Sequence, residues 1–473
     1  MISFSIALLA LVAGYFLYGK FTERVFGPDD NRPTPAVAHP DGVDFVPMSG
    51  WRMFMIQFLN IAGLGPIFGA IMGAKFGLSS YLWIVFGTIF AGAVHDYLAG
   101  MVSLRHDGAN LPVLHERYLG KGMGRFSRLF SVLLMVLVGA VFVSGPAGLL
   151  ADMTPGWMDA TFWIVVIFLY YIVATLLPID KIIGKIYPVF AFALLFMAVG
   201  ILVMLYVHHP ALPEFTDGLG DTHPDGYPIF PMMFVSIACG AISGFHATQS
   251  PLMARCMTSE RQGRRVFYAA MVTEGVVALI WAAAAVCYFG ENGMGESNAA
   301  VIVKAMTSDW LGTAGSLLAI LGVVAAPITS GDTALRSARL MVADMLHLDQ
   351  KPITKRLVIS VPLFLVTLLF LLYSLRDADG FNVIWRYFAW ANQTLSVLTL
   401  WTLSVYLWLH NRRYVWMTAL PAVFMTMVCA TYIFYAPEGA GLNYGVSVAA
   451  GVVCTVALAV FVTAKARLAA KNR

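Results

Sequence analysis

The chain has 473 residues, of which 59% are hydrophobic and 12% charged, with a formal net charge of +4. Soluble proteins carry roughly 25% charged residues, so this chain cannot coat soluble domains, and its apolar excess must face lipid or fill a bundle inside lipid. That excludes an ordinary cytosolic enzyme, and a small net charge with no basic cluster outside short connections excludes a nucleic-acid partner.

The apolar runs approach the roughly 20 residues of a membrane-crossing helix, not the roughly 10-residue alternating strands of a barrel. An all-α integral membrane protein is therefore predicted. The spans fall at 2–19, 51–73, 80–104, 128–150, 161–178, 186–207, 229–257, 265–290, 313–335, 356–374, 385–409, 415–435 and 443–464. The stretch 290–312 leaves room for a further short helix. All but four of the 30 Lys and Arg lie in alternate connections on one side, the exceptions being Lys75, Lys304, Arg376 and Arg386. Cytoplasmic loops are enriched in these residues, so the N-terminus is expected outside and the C-terminus inside the cytoplasmic (inner) membrane.

The first span lacks the basic leader and the small-x-small cleavage site of a signal peptide, and Lys20 and Arg24 follow it, so it is read as retained. The second carries Asn60-Ile61-Ala62-Gly63-Leu64-Gly65-Pro66-Ile67-Phe68-Gly69 in its middle, where a helix in lipid would lose hydrogen bonds. A helix break is predicted here, with Pro66 opening a new half-helix and Gly63 and Gly65 letting backbone approach a ligand. The third span holds His95 and Asp96 at membrane depth.

The seventh span repeats the pattern in Gly240-Ala241-Ile242-Ser243-Gly244-Phe245-His246-Ala247-Thr248-Gln249-Ser250-Pro251. The two broken spans run in opposite directions, five spans apart. This predicts inverted five-helix repeats over 51–207 and 229–409, joined by an extracellular loop at 208–228. An N-terminal span and loop at 1–50 and two C-terminal spans with a tail at 410–473 flank them. Such architecture belongs to transporters, with the substrate at the half-helix ends. Substrate-binding candidates are Asn60, Gly63, Gly65, Pro66, Gly240, Ser243, Gly244, His246, Thr248 and Gln249; the plainer alternative is that these groups pack and cap the break.

The eighth span adds Glu274. Ionisable groups at membrane depth cost several kcal/mol unless paired or functional, so His95, Asp96, His246 and Glu274 read either as a proton relay or as braces between helices. The ninth span offers Thr329, Ser330 and Asp332, a hydroxyl and carboxylate set suited to a hard cation, although hydroxyls often bond their own helix instead. These six residues of the third, eighth and ninth spans are the ion-coupling candidates. His115-Glu116 is expected to be a solvated pair in a basic loop. No H-E-x-x-H or Cys-x-x-Cys occurs, so no metal, cofactor or enzymatic reaction is expected. The five cysteines are expected to be small core residues.

The stretch Asn60 to Gly69, the run Gly92-Ala93-Val94-His95-Asp96-Tyr97 continuing to Ser103-Leu104-Arg105-His106, and Ala238 to His246 resemble the carbon starvation protein A (CstA) family; the likeness extends more loosely through Ala325–Asp344 and Ala391-Asn392-Gln393. The resemblance implies the LeuT-like fold of the amino acid/polyamine/cation superfamily and uptake of pyruvate or peptides driven by protons. It also implies a sodium-site-like position for Thr329 and Ser330. The chain departs from the family after His246, where more Ser, Thr and Gly are expected, and it is shorter at its C-terminal end. The expected function is import of a small organic acid coupled to a proton or sodium ion. The alternatives are a peptide or amino-acid importer, a channel, or a ligand-sensing receptor on the same scaffold.

Overall fold

The computed structural model describes the backbone except at residues 43, 177–178, 221, 295–298, 349, 351, 375–379 and 472–473. Side chains at 175–187, 314, 318, 380 and 382 are also outside the description, so Lys181, Lys185, Lys351, Arg376 and Arg473 of the charge tally are not placed. The described chain is helical: α1 (Ile2–Phe26), α2 (Gly50–Ile61), α3 (Gly65–Ala74), α4 (Ser79–Leu104), α5 (Leu111–Leu119), α6 (Lys121–Ala151), α7 (Ala160–Leu176) and α8 (Ile179–His208). There follow α9 (229–241), α10 (Gly244–Ala254), α11 (Glu260–Asn292), α12 (Ala299–Leu346), α13 (Ile353–Ser374), α14 (Gly380–His410), α15 (Trp416–Tyr435) and α16 (Tyr444–Lys471). Helix is what lipid demands, because each peptide group must bond within its own segment.

Among the described residues nine helices are long and apolar enough to cross a membrane, or ten with α2 and α3 taken as one span bent by 55°. The other three expected spans are helical too. The α7 helix has 17 residues, α9 and α10 are interrupted, and α14 carries Asn392, Gln393, Thr394 and Ser396 in its middle. The further helix left open at 290–312 is the first part of α12, which turns at Gly312 with φ +64°.

Both expected breaks are present. The first lies at Ala62–Leu64, and Pro66 sits in the first turn of α3. The second lies at Ile242 and Ser243, both in extended backbone (φ −158° and −145°). The broken helices cross with their chains opposed: Gly65 faces Cys239, Gly69 the Ser236 carbonyl and Gly73 the Ile237 side chain.

Around this centre α10 packs on α4 and α14, and α3 packs on α9 and α11. The long α12 lies along α6 and α8, α1 packs on α11, and the α15–α16 pair packs on α14. A carboxylate from the connection after α8 closes the start of α1: Glu214 accepts the amides of Ile2 (2.9 Å) and Ser3 (2.7 Å) and the Met1 ammonium. These partners hold its carboxyl down at about 2. Cys239, Cys256, Cys287 and Cys429 are buried, whereas Cys454 is exposed.

Candidate functional site

The breaks are packed and capped by protein in this conformation. A Cβ at Gly63 would lie 2.6 Å from the Phe142 ring, and one at Gly65 would lie 2.2 Å from the Cys239 Cβ, so both glycines serve close approach of protein to protein. Gly240 faces Ala278, and Gly244 faces the α14 backbone at Asn392 and Ser396. Asn392 is the cap that the second break requires. Its Oδ1 accepts from the Phe245 amide (2.7 Å) and from Ser243 Oγ (3.0 Å), filling the start of α10, while its Nδ2 reaches Cys239 Sγ (3.2 Å).

Downstream of the cap, Thr248 donates to the Phe245 carbonyl at 2.6 Å and accepts from Gln249 Nε2 at 2.9 Å. That leaves Gln249 Oε1 buried without a partner among the described residues. At the first break the amides of Ile67 and Phe68 donate back to the Leu64 carbonyl (3.2 and 2.8 Å).

The four ionisable groups expected at membrane depth, drawn from three helices, form one cluster. All are buried to 0% exposure. Asp96 on α4 takes His95 Nδ1 on one oxygen (2.8 Å) and His246 Nδ1 of α10 on the other (2.9 Å). His246 Nε2 lies 3.3 Å from Glu274 Oε2 of α11, but too far out of line for a hydrogen bond, so that nitrogen and both Glu274 oxygens have no hydrogen-bond partner among the described residues.

The approach of α4 to the end of α9, just before the second break, depends on Gly92, where a Cβ would strike the Ala241 carbonyl at 2.2 Å. Proton counting then limits what the cluster can hold. Two contacts on one imidazole need two protons, and a neutral ring brings one. Making both bonds therefore requires a further proton on Asp96, His246 or Glu274.

The ninth-span candidates form a second, separate group. Ser330 Oγ reaches the Leu59 carbonyl, just before the first break, at 3.0 Å and the Ala326 carbonyl at 2.9 Å. Thr329 bonds Ala325 and Ala326 of its own helix, both at 2.9 Å. Asp332 accepts from Tyr170 (2.8 Å) and Thr333 (3.0 Å), and Thr333 lies 3.4 Å from Asn60 Oδ1. These oxygens converge on the end of α2, although the hydroxyls of Thr329 and Ser330 also bond backward to helix carbonyls.

Three participants escape a reading of the sequence. The expected solvated pair at His115-Glu116 is corrected by α5, which turns Leu111, Leu114, His115 and Tyr118 inward. His115 is fully buried, with Nδ1 2.5 Å from Ser127 Oγ, and burial pushes its pKa down to about 3, helped by the nearby His95. Only Glu116 is half-open, paired with Arg128. Glu260, also buried, holds Arg105 through both oxygens (3.1 and 2.8 Å) and accepts the Asp29 amide (2.8 Å), tying the basic face together. Asn392 is the third. The spacing of Leu111, Leu114, His115 and Tyr118 is the signal that could have located His115.

Comparison with known proteins agrees with this architecture. The profile of the family described as Carbon starvation protein CstA matches residues 1–158, 150–309 and 290–432. A Haemophilus influenzae relative described as an uncharacterized membrane protein is 42% identical over 61% of this chain and 91% of its own. The Escherichia coli peptide transporter CstA is 25% identical over 88% of this chain and 78% of its own. The pyruvate/proton symporter BtsT of the same organism is 28% identical over 56% of this chain and 46% of its own.

Among solved structures, a Eremococcus coleocola manganese transporter superposes with TM-score 0.58 at 12% identity, covering 91% of this chain and 99% of that one. MhsT in complex with L-phenylalanine superposes with TM-score 0.59 at 12% identity, covering 81% and 99%. At such identity these matches establish the LeuT-type fold and nothing about cargo.

Proposed function

The chain belongs to the carbon starvation protein CstA family, and from that premise we propose that it is a secondary importer of a small monocarboxylate such as pyruvate, driven by protons. The observation that carries this reading is the buried sequence His95, Asp96, His246, Glu274, which joins the second broken helix to two of its neighbours. One proton more or less decides whether His246 can bond both carboxylates. Loading it draws α10 toward α11, and losing it leaves two buried carboxylates competing for one neutral ring, a costly state inside a membrane.

Alternating access then amounts to one five-span repeat, 51–207, rocking against the other, 229–409, about the two breaks. Asn60, Gly63, Gly65 and Pro66 belong to the first break. Ser243, Gly244, Thr248 and Gln249 belong to the second, with the free Gln249 Oε1 available to a bound solute. The names of the relatives support both pyruvate and peptides, and a short peptide is the second reading because it is named for the relative matching more of this chain. The one-sided Lys and Arg support placing the basic face, with Arg105 and Glu260, in the cytoplasm.

Uptake of labelled pyruvate and of a labelled dipeptide into proteoliposomes, under a proton gradient, a sodium gradient or neither, tests the proposal. Proton-driven accumulation of pyruvate sustains it. Accumulation of the dipeptide alone transfers the mechanism to peptides, and accumulation of neither removes it.

A further inference from the structure

Two of the four cations set apart from the basic face, Lys75 and Arg386, line one cavity of about 290 Å³. Its lining includes the segments that flank the breaks, with Met72 from α3 and Val235 and Ser236 from α9. Arg386 is held 3.3 Å from Glu438, which also receives the Tyr432 hydroxyl. Asp225 stands at the rim with its side chain 66% exposed, beside His223.

Lys75 differs from both. It is only 8% exposed, no carboxylate among the described residues comes within 4 Å of it, and its carbonyl is fastened by Thr222 Oγ1 at 2.7 Å. Of the remaining two cations, Lys304 donates to the Asp152 carbonyl at 3.2 Å and Arg376 lies outside the described residues. Lys75 is nearly buried as a residue, and an anion that enters the cavity gives its ammonium a counter-charge that the described residues do not place within 4 Å.

Between this cavity and the first break lies a chain of aromatic rings. Phe68 meets Trp385 at 5.8 Å between centroids, Trp385 meets Phe388 at 5.5 Å, and Phe388 meets Phe142, the ring covering Gly63, at 5.8 Å. We infer that this cavity is an antechamber on the face opposite the basic one, in which Lys75 binds the carboxylate of the arriving solute while the Phe68–Trp385 contact separates it from the breaks. The inference rests on the transport reading for the identity of the solute. The charge-assisted bond to Lys75 supplies affinity and captures anions from the medium.

Two measurements on the full chain test this separately from the transport reading. The first uses Ser236→Cys in a Cys454→Ser background and compares its reaction rates with an anionic and a cationic thiosulfonate of similar size. The anionic reagent should react faster, Lys75→Gln should remove the preference, and pyruvate should protect the thiol; a dipeptide protecting in its place would assign the antechamber to peptides. Equal rates for the two reagents, or a preference that survives Lys75→Gln, would overturn the inference even if uptake is normal.

The second measurement is uptake. Lys75→Gln should raise KM about tenfold, the loss of one charge-assisted contact, with kcat little changed, and Lys75→Arg should keep most of the affinity. An unchanged KM in Lys75→Gln also overturns the antechamber. A charge preference in the Ser236→Cys protein together with a wild type that accumulates neither solute would instead remove the transport reading and leave the antechamber in place.

Discussion

His246 and Asp96 are joined by a 2.9 Å hydrogen bond between residues 150 apart in the chain, one on the half-helix after the second break and the other on the span that crosses it. Through the far side of the same ring, His246 faces Glu274 at 3.3 Å. The second broken helix is thereby tied to two neighbours by a contact that depends on how many protons it holds.

Removing either carboxylate's charge should uncouple transport before it unfolds the protein. Glu274→Gln keeps the shape and is expected to retain pyruvate exchange between equal internal and external pools, while proton-driven accumulation falls by about tenfold or more, the scale of one lost charge-assisted contact. Asp96→Asn should do the same and also lower the melting temperature in detergent, because the amide keeps one acceptor oxygen for two imidazole contacts. Accumulation at the wild-type level in both variants would assign the cluster to bracing alone.

Gly65→Ala should impair the protein through a collision with Cys239. Its new Cβ would sit 2.2 Å from the Cys239 Cβ, and overpacking of this kind costs about 1–3 kcal/mol. Adding Cys239→Gly should restore both the melting temperature and uptake. A double variant that folds normally but has lost affinity would show that Gly65 itself contacts the solute.

Asn392→Ala should strand the Phe245 amide and the Ser243 hydroxyl at the second break. A buried group left unsatisfied costs about 1–3 kcal/mol, so the expected result is a lower melting temperature and faster proteolysis. Asn392→Asp, which keeps the acceptor oxygens, should recover part of the loss.

His115 supplies a pH dependence with a defined sign. Burial holds its folded pKa down at about 3, against an ordinary value of 6.5, so the folded state takes up its proton later than the unfolded state. Its contribution to stability is complete above pH 6.5 and is lost as the pH falls from there toward about 3. Thermal unfolding of the wild type and His115→Gln should therefore differ progressively below pH 6.5, with the wild type losing more. Parallel curves would contradict the buried placement.

Ser330→Ala distinguishes the two candidate coupling groups. With protons as the driving ion, pyruvate uptake should be the same in sodium and in choline medium, and Ser330→Ala should leave it close to wild type. A sodium requirement abolished by Ser330→Ala would move the coupling to the oxygens around Leu59 and Ser330.

Span positions and breaks were legible because they are local properties. A run of apolar residues, or a Gly-Leu-Gly-Pro sequence inside one, determines within a few turns whether backbone groups can bond each other in lipid. The candidates His95, Asp96, His246 and Glu274 were likewise visible as ionisable residues in apolar surroundings. Their union was not, since it depends on how α4, α10 and α11 cross, and contacts between distant segments leave no periodic trace in sequence.

The same limit hid three other assignments. Asn392 as the cap of a helix far from it in the chain, His115 as a buried imidazole on a short helix, and Lys75 as a nearly buried cation with no carboxylate of the described residues within 4 Å each follow from what packs against the residue. By itself the sequence determined the membrane class, the order of spans and the two interruptions, because hydrogen bonding and hydrophobicity act over short stretches of chain. Only the tertiary structure decided which polar groups meet, because burial and pairing are set by neighbours that the packing of separate helices brings together.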